Sequence, residues 1–159
     1  MDHLTKQPPS GLVAIDGFDG AGKTTLALKI SRHCDMPYLD LDSILIGPKK
    51  LNYVDRIDYE RLSSEVAAQK TGLIVSGVFV QRILLKIEAM PSIKIYVKRI
   101  SSNGLWHQGW DIDSESFDEN QMLDGRMRRY SDLSVDILKY HREFTPHTNS
   151  DLYYNRTED

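Results

Sequence analysis

At 159 residues, with 40% hydrophobic and 27% charged side chains and a formal net charge of −3, the chain has the make-up of an ordinary soluble domain with enough length for one core. It carries no run of Lys or Arg of the kind that grips nucleic acid, and no apolar stretch near the ~18 residues that a membrane helix needs, so neither partner is expected. The single cysteine, Cys34, excludes an intrachain disulfide and fits a reducing, cytoplasmic setting.

Residues 1–10 are polar and include Pro8-Pro9, so they read as a flexible N-terminal tail ahead of a single domain over 11–159. Leu12-Val13-Ala14-Ile15 reads as a buried strand. Gly17 to Thr24 then fit G-x-x-x-x-G-K-[ST], and Thr25 to Ile30 read as a helix. The motif thus stands in the strand, glycine loop and helix that a phosphate-binding loop requires. Pro37 to Asp42 predict a short second strand ending at Asp42, with a turn signal at Gly47-Pro48. Asp58 is a plausible N-cap for a helix whose inner face carries Tyr59, Leu62 and Val66.

Leu73-Ile74-Val75 is a third strand, closed by Ser76-Gly77. Phe79 to Met90 read as a helix with Val80, Ile83, Leu84 and Ile87 as its apolar stripe, ended by Pro91. Ile93 to Val97 form a fourth strand. Ser101 to Asn120 are polar and aperiodic, the pattern of a lid, and contain Trp106, His107 and Trp110. A long helix is expected over 121–144, with Leu133, Ile137, Tyr140 and Phe144 on one stripe and Thr145-Pro146 at its end. Leu152 to Tyr154 predict a last strand and 155–159 a frayed end. Strands alternating with helices imply an α/β three-layer sandwich, a parallel sheet with helices on both faces and ligands beyond the carboxyl ends of its strands. Asp16, Asp42, Ser76 and Arg99 lie at or just past those ends, so they should share one crevice with the loop.

Phosphoryl transfer from ATP to an alcohol needs cradled phosphates, a held Mg²⁺, a group that takes the hydroxyl proton, and cations for the transferring charge. Gly17, Phe18, Asp19, Gly20, Ala21, Gly22, Lys23, Thr24 and Thr25 supply the cradle, with Lys23 reaching the β- and γ-phosphates. Thr24 and Asp40 are the candidate Mg²⁺ ligands, and Asp42 the candidate base. Asp40 and Asp42 are two apart, so in a strand they share a face. Arg99 is the first candidate cation, and Arg126 and Arg129, which share a helix face that Arg128 does not, are candidates from the lid. Trp106 and Trp110 suit either stacking on an acceptor base or docking the lid. The five histidines show no metal-ligand spacing, so no zinc site is expected.

These residues together resemble the small-molecule P-loop kinases, in particular the uridine kinase-like group. The resemblance rests on Ile15-Asp16-Gly17 leading into Gly20 to Thr25, then Leu41-Asp42-Ser43, Asn52-Tyr53, Asp58 to Leu62, Leu73 to Phe79 and Pro146 to Tyr153. It implies a five-stranded parallel sheet in the order 2-3-1-4-5 and a lid at about 101–125. It also implies Asp42 as the base on a sugar hydroxyl, and residues 144–149 near the adenine. ATP would be the co-substrate, Mg²⁺ the cofactor, and a nucleoside or related polyol the acceptor. Asp40-Leu41-Asp42 is also similar to the Asp-x-Asp of shikimate and gluconate kinases, so a metabolite kinase of that kind is a second reading. Ser76 stands where such kinases usually carry Glu. With the sparse lid arginines, it allows a third reading, a nucleotide-binding regulatory module with little transferase activity. The oligomeric state is left open.

Overall fold

The computed structural model describes residues 11–109, 112 and 131–157. The expected tail at 1–10, most of the expected lid with Trp110, and the candidates Arg126 and Arg129 lie outside the described residues. Strand β1 (Leu12–Gly17) is buried along its whole length. It pairs in parallel with β3 (Leu73–Ser76) on one side and β4 (Ile93–Ile100) on the other. β2 (Tyr38–Asp40) and β5 (Leu152–Thr157) complete a sheet in the order β2-β3-β1-β4-β5, the order that the resemblance implies.

Burial on both faces explains why β1 and β3 read as continuous apolar runs. Val13 and Ile15 pack with Leu26, Ala27 and Ile30 of α1 (Lys23–Cys34). Leu12 and Ala14 point the other way, as alternate strand residues must. They join a larger cluster holding Leu62 of α2 (Tyr59–Ala68), Ile83 and Leu84 of α3 (Val80–Lys86), and Ile137 and Tyr140 of α4 (Asp132–Phe144). Leu62 is the buried residue of α2, and a fully buried leucine contributes about 1.5–3 kcal/mol, so this contact anchors the helix. The expected stripe of α4 is also present, with Leu133 and Phe144 packed at the edges of that cluster.

Several boundaries differ from the expectation, each for a local reason. β2 stops at Asp40, and 41–44 form a 3₁₀ turn, because the Asp40 side chain accepts the amide of Asp42 at 3.0 Å and caps the turn. α3 ends at Lys86, not at Met90: Glu88 has φ 55°, and the amide of Ala89 folds back to the carbonyl of Leu84 at 3.0 Å. α4 begins at Asp132, because Ser131 is extended and its hydroxyl caps the amide of Ser134 at 3.2 Å; the part of the expected helix at 121–130 lies outside the described residues. β4 runs on to Ile100 because β5 accompanies it, pairing 95–100 with 152–157. Residues 155–157 are therefore strand, not a frayed end. No described helix is long and apolar enough to cross a membrane.

Candidate active site

The loop after β1 turns sharply where glycine is required. A Cβ on Gly17 would stand 2.6 Å from the carbonyl oxygen of Val97, and Gly22, at φ 99°, is the left-handed residue from which α1 starts. Lys23 opens the helix, is nearly buried, and donates from Nζ to the carbonyl of Phe18 at 2.5 Å. Burial pushes its pKa down, opposed by the carboxylates of Asp16, Asp19, Asp42 and Asp40. The next residue, Thr24, donates from Oγ1 to Asp40 Oδ2 at 3.2 Å.

Asp40 accepts three hydrogen bonds, which leaves a lone pair on Oδ1. Oδ1 accepts the amide of Asp42, while Oδ2 accepts from Thr24 and, at 3.0 Å, from the phenol of Tyr38. The Tyr38 oxygen is in turn 3.0 Å from Ser76 Oγ. A chain Ser76–Tyr38–Asp40–Thr24 thus runs from inside the sheet to the loop, and Ser76 acts in it through Tyr38. The Thr24 hydroxyl and the Asp40 carboxylate form an oxygen-donor pair of the kind that could hold Mg²⁺. Their closeness fits that ion.

Asp42 reaches the same place by another route. It sits in the 3₁₀ turn rather than on the strand, and Oδ1 accepts from the phenol of Tyr53 at 2.6 Å. Burial, and then the hydrogen bond to Asp42, push the Tyr53 pKa above the usual phenol range, so it stays a donor. In sequence Tyr53 belongs only to the resemblance, with no role; its position beside Asp42 comes from the antiparallel bridge between Leu45 and Ile57 that folds 45–57 back.

These side chains surround one cavity of about 410 Å³, lined by Asp19, Gly20, Gly22, Lys23, Thr24, Asp40, Asp42, Tyr53, Gly77, Val78, Leu133 and Arg156. Arg99 is not among them. It lies within β4, in register with Arg156 on β5, and Arg156 is the arginine that lines the cavity. Its signal in sequence is the continued alternation Leu152, Tyr154, Arg156 past the expected strand end. Residues 144–149 do not line the cavity either. They lead into β5 at the level of Lys94, whose carbonyl takes the amide of Asp151 at 2.9 Å, toward the amino-terminal side of the sheet.

Asp16 lies beneath the loop instead of in the cavity. Its carboxylate accepts the Gly17 amide at 2.8 Å and the phenol of Tyr140. Burial raises its pKa to about 6 against the pull of Tyr140, Gly17 and Lys23. Beside it, His141 is fully buried, with Nδ1 2.7 Å from the carbonyl of Ile137 and Nε2 2.7 Å from the phenol of Tyr96. A carbonyl only accepts, so Nδ1 carries the proton, and Tyr96 donates to Nε2. Burial lowers the His141 pKa to about 4. Its ring stacks on Phe18 of the loop at 4.3 Å.

Trp106 is docked. It bridges back to Ile100, meets Tyr96 edge-on at 6.1 Å and takes Lys98 Nζ over its ring at 4.6 Å. A second hollow of about 240 Å³ shares Tyr53 with the main cavity and includes Phe79, Arg82, Lys86 and Asp136. Its cations are paired, Arg82 with Glu143 and Lys86 with Asp55 at 3.7 Å.

No family model and no curated protein matches the chain in sequence. Its fold does match solved structures. One is a possible uridine kinase from Bacillus stearothermophilus, at 15% identity and TM-score 0.55, covering 96% of each chain. Shikimate kinases from Aquifex aeolicus (14%, TM-score 0.49, 91% of this chain and 86% of that one) and Bacteroides thetaiotaomicron (16%, 0.46, 91% and 85%) also match, too loosely to carry an argument. The chain shares the fold of that possible uridine kinase.

Proposed function

We propose that the protein transfers the γ-phosphoryl group of ATP to the hydroxyl of a small uncharged molecule, a nucleoside or related polyol. The observation that carries this is the meeting of Asp42, held by Tyr53, with Lys23 and Thr24 in one cavity. In this reading the loop amides and Lys23 hold the β- and γ-phosphates. The acceptor oxygen attacks γ-phosphorus, its proton passes to Asp42, the bond to the bridging oxygen breaks, and ADP leaves. Tyr53 holds one carboxylate oxygen of Asp42 so that the other faces the hydroxyl. Thr24 and Asp40 would hold Mg²⁺, which when bound screens the phosphate charge.

The paired cations of the second hollow favour an uncharged acceptor over the carboxylated ones of a shikimate-like enzyme, because Arg82 and Lys86 already have acidic partners. The test is ADP release from Mg²⁺-ATP with a panel of nucleosides, sugars and hydroxy acids, run beside Asp42→Asn. Acceptor-dependent turnover lost in the variant is expected. ATP binding with no acceptor-dependent turnover would replace this reading with a nucleotide-binding regulatory module.

A further inference from the structure

The main cavity is poorly balanced for an anionic ligand. Among the described residues lining it, Asp19, Asp40 and Asp42 oppose Lys23 and Arg156. The Lys23 ammonium is tucked against the Phe18 carbonyl. Arg156 is exposed, makes no ion pair among the described residues, and its hydrogen bond to the carbonyl of Gly20 is long, at 3.4 Å. A guanidinium has five N–H donors in a fork that matches phosphate oxygens, and here most are uncommitted.

Its position has a cause in the sheet. The register of β1 with β4 ends at Gly17–Val97, whereas β4 and β5 continue together to Ile100–Thr157. Arg156 therefore stands beyond the level of the loop's first glycine. Leu152 and Tyr154 pack on the α1 side of the sheet, and alternation puts Arg156 on that side as well. Its Cδ comes so near Gly22 that a Cβ there would lie 2.8 Å away. The side chain thus lies along the start of α1, where loop amides gather anionic oxygens.

We propose that Arg156 is a phosphate-binding residue: its guanidinium leaves the Gly20 carbonyl and clamps the phosphate oxygens of the bound nucleotide. This rests on reading the loop as an ATP site. It gives the cationic role that the sequence suggested for Arg99 to the residue beside it on β5.

The test is calorimetric binding of Mg²⁺-ATP, ADP, adenosine and inorganic tripolyphosphate to the full chain and to Arg156→Gln and Arg156→Lys. Arg156→Gln should weaken ATP and tripolyphosphate by about tenfold or more, the size of one hydrogen bond to a charged group. Arg156→Lys should recover part of that loss, and the deficit should shrink at high salt. Melting temperatures should match wild type, because the side chain is exposed. A glutamine variant that binds like wild type would show that the guanidinium does not hold phosphate and overturn the proposal. A loss for ATP with none for tripolyphosphate, which has no base, would assign Arg156 to the base and also overturn it. If wild type binds neither ATP nor tripolyphosphate, the phosphate-loop reading falls and Arg156 with it. If it binds both without turning over any acceptor, only the transferase reading falls.

Discussion

The phenol of Tyr140 donates to the carboxylate of Asp16, joining residues 124 apart and fastening α4 to the strand that carries the phosphate loop. The Tyr140 oxygen also accepts the amide of Gln81 at 3.3 Å, so α3 is drawn into the same contact. One buried acid thus organises three elements under the loop, with Lys23 and Tyr96 as its charged and polar neighbours.

That acid and its neighbour His141 give opposite pH dependences. Asp16 titrates near 6 in the folded chain against 3.8 ordinarily, so between those values the folded state holds a proton that the unfolded state has lost. Stability from this group falls as pH rises through that window, by on the order of 3 kcal/mol. His141 titrates near 4 against 6.5, so the unfolded state binds the extra proton and stability rises over about the same range. The two slopes largely cancel in the wild type. Relative to it, Asp16→Asn should gain stability as pH rises from 4.5 to 6, and His141→Gln should lose it. Urea unfolding across that range checks both, and parallel curves for all three proteins would reject the assignment.

Tyr140→Phe removes the donor to Asp16 and one of the two acceptors of the Gln81 amide, the other being Asp16 itself. A cost of about 1–3 kcal/mol is expected, as for a buried polar group stripped of its partner. It should be larger at pH 8, where Asp16 is ionised, than at pH 5. An equal cost at both values would show that the phenol does not serve the charged form.

Tyr53→Phe should lower kcat for the acceptor roughly tenfold to a hundredfold, the range for one hydrogen bond to a charged group, while ATP affinity holds. Steady-state kinetics beside calorimetric ATP binding separates the two. A weakened ATP affinity with unchanged kcat would place Tyr53 on the nucleotide side instead.

Thr24→Val and Asp40→Asn should each raise the Mg²⁺ concentration needed for half-maximal ATP turnover by about tenfold or more. A Mg²⁺ titration at fixed ATP measures this. Asp42→Asn should leave that requirement unmoved; if it moves with the others, Asp42 belongs to the metal.

Gly17→Ala should destabilise the chain by about 2–3 kcal/mol, since the new Cβ meets a backbone carbonyl that cannot turn away. Gly20→Ala has open space and should cost only the ~1 kcal/mol of its φ of 71°. The difference in denaturant midpoints between the two is the readout.

The phosphate loop and most of the strands were legible because their signals are local: glycines at fixed spacing, and apolar runs punctuated by turns; the strand order came with the family resemblance. What escaped depended on contacts distant in sequence. β2 looked longer because Leu39 and Leu41 alternate, yet the Asp40 side chain takes the amide that would have continued the strand. Arg99 looked like a residue beyond its strand because nothing within 93–100 reveals that β5 extends the pairing to Ile100. Neither the Asn52-Tyr53 pair nor the alternation that ends at Arg156 assigns a role by itself; the chain's return to the loop does.

The walls of the main cavity come from both ends of the described chain, from Asp19 at one extreme to Arg156 at the other. No fragment that lacks either end can hold its ligand as the whole does. Binding should therefore slow amide hydrogen exchange in β5 as well as in α1, and raise the melting temperature of the entire unit by mass action. A thermal-shift screen can for that reason report nucleotide and acceptor together, before any product of the reaction has been identified.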